Sequence, residues 1–251
     1  MSLPPPPQPD PARTSLFLDI DGTLAEFKRR PEEVGPTPRL TALLQALGRR
    51  LDGRIAVISG RALADMDRIT AGAVVAASGV HGLEHRDALG RVEAASPHPG
   101  LERARGAFTA LVQAHPELLL EDKGLGLVLH YRTAPELAEL ANATAARMVD
   151  ETGLALQKGD MMAEVRTPGR NKGDALRTFM AEPPFQGGRP VFVGDDLTDE
   201  SAFEAARDLG GHGVLVGPQR ETAAAFRLDD VASVLGWLEA FAAADLHSLA
   251  S

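Results

Sequence analysis

The 251-residue sequence predicts an α/β protein, a parallel sheet core with an inserted α+β domain. Two observations lead to this fold class. From Ser15 onward, short apolar runs alternate with helical patterns, which is typical of a parallel sheet covered by helices. Between about residues 100 and 167 the predicted order becomes α-β-β-α-β-β, which indicates hairpins in place of crossover connections.

The candidate strands of the main sheet are near-continuous apolar runs, as expected for strands that are covered on both faces. A leucine stripe within 40–51 predicts a core-facing helix, with Thr37 as N-cap and Pro38 as first residue. A similar stripe within 231–241 predicts a second such helix. The candidate strands are 16–18, 54–58, 74–77, 191–193 and 214–216.

Residues 100–167 are predicted to form the inserted domain, and residues 14–99 and 168–251 the core domain. Apolar spacing predicts inserted-domain helices near 101–112 and 137–148. Residues 1–13 are expected to be a disordered tail, because their consecutive prolines cannot begin a helix. The strand-like segments of the inserted domain are 118–121, 125–132, 154–158 and 161–166.

Composition excludes several classes of protein. A hydrophobic fraction of 44% excludes wholesale disorder, and the lack of cysteine excludes disulfides, thiolate metal sites and a cysteine nucleophile. The net charge of −9 argues against nucleic acid or an anionic membrane as partner. Without a signal-peptide core or a run of about 18 apolar residues, we expect a cytoplasmic protein.

Asp19 and Asp21 directly follow the first predicted strand. An aspartate in this position costs desolvation energy unless it is paired or bound to a metal. A turn explains Asp21 with its following glycine, but it leaves Asp19 without a reason. Two carboxylates at this spacing could serve as nucleophile and as general acid and base.

Asp195 and Asp196 follow another predicted strand, so we interpret them as metal ligands or their supports. Thr198 and Glu200 are explained as the N-cap and an early acid of a predicted helix at 199–209. Asp199 fits that structural role and a functional role equally well. Oxygen ligands without cysteine favour Mg²⁺ over Zn²⁺.

Lys172 lies in the first turn of a helix for which Asn171 is the predicted N-cap. A cation there opposes the helix dipole, so an exposed lysine would be slightly unfavourable. A lysine and a helix N-terminus that face one bound anion would instead form a phosphate site. Beside two pairs of aspartates, we favour the phosphate site.

These residues resemble the signature motifs of the haloacid-dehalogenase (HAD) phosphohydrolases, in the order of that superfamily. More closely, residues 15–241 resemble the trehalose-6-phosphate phosphatase family. The resemblance implies a HAD-type Rossmann-like core with a C2-type cap. The matching segments are Asp19-Ile20-Asp21-Gly22-Thr23-Leu24, Ile58-Ser59-Gly60-Arg61, Gly79-Val80-His81-Gly82, Glu121-Asp122-Lys123, His130-Tyr131-Arg132, Glu164-Val165-Arg166, Asn171-Lys172-Gly173 and Gly194-Asp195-Asp196-Leu197-Thr198-Asp199-Glu200.

The resemblance implies Mg²⁺-dependent hydrolysis of trehalose 6-phosphate to trehalose and phosphate, the last step of trehalose biosynthesis. Asp19 would attack phosphorus to form an aspartyl-phosphate. Asp21 would protonate the departing sugar oxygen and then activate water. Ser59 and Lys172 would bind the phosphoryl oxygens.

The implied metal site consists of the Asp19 carboxylate, the Asp21 main-chain carbonyl and Asp195. Asp196 and Asp199 would support it. The inserted domain would be the cap that binds the sugar, and strand alternation separates an apolar face from a polar face there. The implied substrate-binding residues are Arg61, His81, Glu121, Lys123, Arg132 and Glu164.

One position departs from the family pattern. Relatives usually carry a lysine four residues before Glu164, where this chain has Asp160. Lys158 lies two residues earlier and would share its face in a regular strand.

The expected partner is a small-molecule substrate, trehalose 6-phosphate, with functional pairing to a trehalose-6-phosphate synthase. Nucleic acid and membranes are not expected partners. The alternatives are another capped HAD sugar-phosphate phosphatase, of the sucrose 6-phosphate or mannosyl-3-phosphoglycerate type, a receiver-type signalling domain, and a non-catalytic synthase subunit. A receiver needs neither the length nor Asp21, and intact Asp19, Ser59 and Lys172 argue against the subunit.

Overall fold

A computed structural model describes residues 3–28, 30–159 and 161–244. Contacts within the chain separate two compact units. The core unit comprises the described residues up to Val92 and from Asn171 onward, and the inserted unit comprises Glu93–Arg170. No helix in the described ranges has both the length and the apolar character needed to cross a membrane.

The elements alternate as predicted in the core unit and follow α-β-β-α-β-β in the inserted unit. The strands are β1 (Thr14–Leu18), β2 (Ile55–Ile58), β3 (Ala77–Gly79), β4 (Glu84–Arg86), β5 (Val92–Ala94), β6 (Leu119–Asp122), β7 (Gly126–His130), β8 (Ala155–Gly159), β9 (Met162–Arg166), β10 (Arg189–Gly194), β11 (His212–Val216) and β12 (Phe226–Leu228). The helices are α1 (Pro38–Arg50), α2 (Leu63–Thr70), α3 (Gly100–Ala114), α4 (Ala138–Thr152), α5 (Lys172–Met180), α6 (Glu200–Asp208) and α7 (Val231–Ala243).

The larger sheet has the strand order β12-β11-β10-β1-β2-β3-β4-β5 and is parallel from β12 to β3. β1 lies inside the sheet, and all its residues are buried. Leu16 and Leu18 pack in the cluster that contains the apolar faces of α1, α2 and α7. Phe17 packs on the other face with residues of α5 and α6. The unbroken apolar run of β1 is therefore explained by helices on both faces of the sheet.

Two of the predicted helix starts are confirmed, and one is wrong. Thr37 Oγ1 accepts a hydrogen bond from Leu40 N at 3.2 Å, and Asn171 forms a capping box at the start of α5. Thr198 does not cap α6. A 3-10 turn at Leu197–Asp199 comes first, and Asp196 caps that turn with its own side chain.

The third strand differs from the prediction of 74–77, because only Ala77 and Ser78 pair with β2. Val75 is half exposed, and its carbonyl accepts a hydrogen bond from Arg86 Nε at 2.7 Å. Strands β4, β5 and β12 have no counterpart among the predicted strands. Each has three residues, and none is a fully buried apolar run that the sequence pattern would reveal.

The prediction of a disordered tail is wrong for residues 3–13. The Pro4 carbonyl accepts a hydrogen bond from Arg227 N at 3.0 Å, and the Pro7 carbonyl accepts one from Trp237 Nε1 at 3.3 Å. Arg54 Nη2 donates to the Pro11 carbonyl at 2.6 Å. Prolines cannot form a helix, but their carbonyls accept hydrogen bonds from donors of the core unit.

The inserted unit is an antiparallel sheet of order β6-β7-β9-β8. Helices α3 and α4 pack on one face, where Phe108, Leu127 and Val165 are fully buried. On the other face, the register aligns one row across all four strands, which consists of Glu121, Val128, Glu164 and Gln157. The Asp160 position and the Lys158 side chain lie outside the described residues.

Candidate active site

The polar residues that follow β1, β2 and β10 lie at the carboxyl edge of the parallel sheet. Two of them, Asp19 and Asp199, form ion pairs with Lys172, the first residue of α5. Lys172 Nζ donates to Asp19 Oδ2 at 2.6 Å and to Asp199 Oδ1 at 2.7 Å. The structure thus joins residues that are far apart in the chain into one charged cluster, as ligand sites at switch points of α/β sheets require.

This cluster is almost completely buried. Burial by itself would lower the pKa of Lys172, but the charges of Asp19 and Asp199 outweigh it and raise the pKa. The two carboxylates therefore stabilise the charged form of Lys172. Burial raises the pKa of Asp19 to about 6, and the Lys172 charge keeps the pKa from rising further. The charge of Lys172 thus favours the ionised form of Asp19.

Asp195 supplies the group that best fits a metal ion. Ligand atoms of Asp19, Asp195 and Asp199 all lie within 4.8 Å of one another. Among the described residues, Asp195 Oδ1 is buried and has no hydrogen-bond partner. Burial, followed by the charges of Asp19 and Asp199, raises the pKa of Asp195 to about 9. A divalent cation would compensate these carboxylates, and an all-oxygen donor set suits Mg²⁺.

The sequence left a structural role and a functional role open for Asp199, and its contacts favour a structural role. Its Oδ1 binds Lys172, and its Oδ2 accepts a hydrogen bond from Asp196 N at 3.0 Å. Asp199 thus links the Lys172 ammonium to the main chain of the loop that carries Asp195. We interpret Asp199 as a support that fixes Lys172 and the loop before α6.

Two glycines allow the loops at this edge to approach one another. Gly22 has φ +72°, and a Cβ built on it would lie 2.1 Å from Asp195 Oδ2. A Cβ on Gly194 would lie 2.4 Å from Asp199 Cγ. Any larger residue at these positions would displace a carboxylate of the cluster.

Ser59 and Arg61 follow β2, and both are buried. Arg61 Nε and Nη2 donate to the two carboxylate oxygens of Asp21 at 2.7 and 2.8 Å. Its Nη1 contacts Asp65 and the Pro31 carbonyl. Arg61, implied as a substrate-binding residue, is therefore paired with Asp21 in this structure.

His81 lies against the segment that contains Ser59. Its main-chain N donates to the Ser59 carbonyl at 3.1 Å, and a Cβ on Gly60 would lie 2.6 Å from its ring. Its φ of 56° lies in the left-handed region, which is costly for histidine. This backbone conformation places the buried imidazole of His81 against Gly60.

The remaining implied substrate residues lie in the inserted unit. Lys123 Nζ lies 3.5 Å from Glu164 Oε2, and both side chains are buried. Glu121 contacts His130 Nε2 at 2.8 Å. Burial alone would raise the pKa of Glu121, but His130 and Lys123 outweigh it and lower the pKa. Arg132 follows β7 and is partly buried.

Sequence reasoning missed residues that hold these groups in place. Asp65 pairs with Arg61, and His130 pairs with Glu121. Arg220 donates to the carbonyls of the loop that carries Asp195, and Glu200 binds Arg220. No motif surrounds Arg220, whereas His130 is itself part of the matching segment His130-Tyr131-Arg132, which is a usable signal.

A parallel α/β core with this aspartate, serine and lysine edge is suited to phosphoryl transfer. Its fold is shared with BT1666 of Bacteroides thetaiotaomicron, a solved phosphatase of the HAD superfamily, at a TM-score of 0.59 and 18% identity. The family model described as trehalose-phosphatase matches residues 17–232. The chain belongs to the trehalose-phosphatase family.

Individual relatives agree with this assignment. The chain is 38% identical over 208 residues to a probable trehalose-phosphate phosphatase of Sinorhizobium fredii, covering 81% of this chain and 78% of that protein. It is 37% identical over 230 residues to trehalose-6-phosphate phosphatase of Escherichia coli, and the match covers 91% of this chain and 86% of that protein. The C-terminal domain of C. albicans trehalose-6-phosphate phosphatase shares the fold, with a TM-score of 0.84, 24% identity and coverage of 96% and 98%.

Proposed function

We propose that this chain hydrolyses trehalose 6-phosphate to trehalose and inorganic phosphate, the last step of trehalose biosynthesis. Membership of the trehalose-phosphatase family supports the substrate. The observation that carries the chemistry is the buried contact of Lys172 with Asp19 beside Asp195. Phosphoryl transfer depends mainly on positioning and charge neutralisation, which such a cluster supplies.

Asp19 is the proposed nucleophile. Its Oδ1 accepts a hydrogen bond from Ile20 N at 2.7 Å, and its Oδ2 binds Lys172, so the carboxylate is oriented as well as ionised. Attack forms a bond from the Asp19 carboxylate oxygen to phosphorus and breaks the bond from phosphorus to the sugar oxygen. Asp21, once its pair with Arg61 opens, gives a proton to that sugar oxygen. A water then attacks phosphorus and gives its proton to Asp21. The bond from phosphorus to the Asp19 oxygen breaks, which releases phosphate and restores the Asp19 carboxylate.

Lys172 and Ser59 are the proposed ligands of the phosphoryl oxygens. Lys172 lies at the N-terminus of α5, where the helix dipole also favours an anion. Because burial removes competing water, the ammonium charge acts strongly on a phosphate bound there.

Mg²⁺ is the proposed cofactor, held by the carboxylates of Asp19 and Asp195 and by the Asp21 main-chain carbonyl. Asp196 and Asp199 support this set through the loop before α6. When bound, the ion neutralises charge on the phosphoryl oxygens. The partnerless Asp195 Oδ1 and the raised pKa of Asp195 support a cation at this place.

Residues 100–167 are the proposed cap, in which Glu121, Lys123, Arg132 and Glu164 bind the sugar hydroxyls. Arg61 and His81 are proposed to complete substrate binding from the core unit. A cytoplasmic location and functional pairing with a trehalose-6-phosphate synthase, which would supply the substrate, are part of the same proposal. They rest on the family resemblance.

A phosphate-release panel with Mg²⁺ tests the function. We expect trehalose 6-phosphate to be turned over much faster than glucose 6-phosphate or sucrose 6-phosphate. EDTA should stop release, and Mg²⁺ should restore it. Equal or faster turnover of either other ester would contradict the substrate assignment.

Asp19→Asn tests the mechanism. It should abolish release while leaving the far-UV circular dichroism unchanged, because the amide is similar in shape but a poor nucleophile. Asp208→Asn, which changes an exposed aspartate at the end of α6, is the matched control and should retain activity. Substantial release by Asp19→Asn would refute the nucleophile assignment.

A further inference from the structure

A hydrogen-bond network outside the carboxylate cluster holds the acidic loop, residues 194–199. Arg220 lies in the segment that follows β11. Its Nη2 donates to the main-chain carbonyl of Asp196 at 2.8 Å and reaches that of Asp195 at 3.4 Å. One guanidinium nitrogen thus contacts two successive carbonyls of the loop that carries the proposed metal ligand.

Glu200 in turn fixes Arg220. One carboxylate oxygen contacts Arg220 Nη1, and the other accepts hydrogen bonds from Ala223 N at 2.8 Å and Thr222 Oγ1 at 3.2 Å. Arg220 Nη1 also donates to the Glu221 carbonyl at 3.1 Å. The guanidinium cannot rotate without losing several of these contacts together, so its position is well defined.

The acidic loop is also held from within. Asp199 Oδ2 accepts a hydrogen bond from Asp196 N, and Asp196 Oδ1 accepts one from Leu197 N at 2.6 Å. The backbone on either side of Asp196 is therefore anchored, through its N–H to Asp199 and through its carbonyl to Arg220. The Asp195 carboxylate projects from this anchored segment with one oxygen lacking a partner among the described residues.

We propose that Arg220 is a positioning residue for the divalent cation. By holding the carbonyls of Asp195 and Asp196, it fixes the position of the Asp195 carboxylate before the cation binds. Glu200 keeps Arg220 in place. The inference rests on the proposed function only in that Asp195 is taken as a ligand of Mg²⁺. Partners that orient a metal ligand commonly change metal affinity when they are removed.

Charge and positioning make opposite predictions for this residue. Arg220 is a cation beside an acidic loop, so removing its charge should by itself strengthen Mg²⁺ binding. If Arg220 positions Asp195, removing it should weaken Mg²⁺ binding by roughly 10-fold or more. The sign of the change in Kd therefore separates the two effects.

The experiment is isothermal titration of the full chain with Mg²⁺ alone, without substrate. We expect Arg220→Gln to raise the Kd roughly 10-fold. Arg220→Lys should also raise it, because an ammonium keeps the charge but cannot span the carbonyls and Glu200 together. Arg177→Gln is the matched control and should bind like the wild type. It removes an exposed arginine that pairs with Asp208, at the other end of α6, at 2.7 Å.

An unchanged or lower Kd for Arg220→Gln would overturn the inference and leave the proposed function standing. A wild-type chain that binds no Mg²⁺ would overturn the metal assignment itself. Thermal unfolding in EDTA checks that the variants are folded. If Arg220→Gln does not fold, Arg220→Lys decides, and a wild-type Kd for that variant counts against positioning.

Discussion

Gly22→Ala tests whether the loops that follow β1 and β10 must approach as closely as the structure shows. A left-handed backbone at alanine costs roughly 1–2 kcal/mol. The added Cβ would start 2.1 Å from Asp195 Oδ2. Because non-bonded contacts shorter than about 3 Å are sterically forbidden, the carboxylate must move by about 1 Å. A misplacement of about 1 Å can cost on the order of 100-fold in activity.

Gly210→Ala separates the cost of backbone strain from the cost of displacing the Asp195 carboxylate. Gly210 has φ +78°, close to that of Gly22, but a Cβ there meets no atom within 4 Å. Both variants should therefore lose Tm by about 2–4 °C for each kcal/mol of backbone strain. Only Gly22→Ala should lose activity, by roughly 100-fold in phosphate release from trehalose 6-phosphate at saturating Mg²⁺.

The comparison of the two variants decides the outcome. The Cβ of Gly22→Ala would also lie 2.8 Å from Phe27 Cε2, but its approach to Asp195 Oδ2, at 2.1 Å, is much closer. Displacement of Asp195 is thus the expected cause of the activity loss. If Gly22→Ala loses no more activity than Gly210→Ala, the close approach of these loops is unnecessary for catalysis.

Two further predictions concern stability. Lys172→Met leaves the buried carboxylates of Asp19 and Asp199 without their cation, so the free energy of unfolding should fall by about 3–5 kcal/mol in a urea titration with EDTA. A loss under about 1 kcal/mol would contradict the importance of these ion pairs. Burial lowers the pKa of His212 from 6.5, so the unfolded chain binds its proton first and the contribution of His212 to stability should fall as the pH drops below 6.5. His212→Gln should reduce that pH dependence of Tm, and equal slopes for the two proteins would exclude a role for His212.

The central strands and the residues after them are predictable from the sequence for a physical reason. β1 is covered on both faces, so its burial is visible in sequence as a continuous apolar run. Parallel strands deliver their following residues to one edge, so the apolar runs alone are enough to group Asp19, Ser59 and Asp195. The start of α5 is predictable because capping chemistry is local, and this places Lys172 in a first turn.

Contacts between distant side chains are not predictable in this way. Arg61 and Asp21 are 40 residues apart, and Arg220 and Glu200 are 20 apart, with no periodic pattern that relates them. Such pairs depend on where loops return to the sheet, which burial patterns do not encode. The order of the proline-rich residues 3–13 is not predictable for a similar reason. Composition does not show which donors will hydrogen-bond to their carbonyls.

That proline segment has a consequence for self-association. β12 is an outer strand of the larger sheet, and such edges can pair with another chain. Here the Arg227 amide is already bound to the Pro4 carbonyl. Residues 4–7 are all proline and have no amide hydrogen to offer a further strand. The segment therefore protects the β12 edge from pairing with another chain. A chain shortened to begin at residue 14 should become prone to aggregate while its active site stays intact.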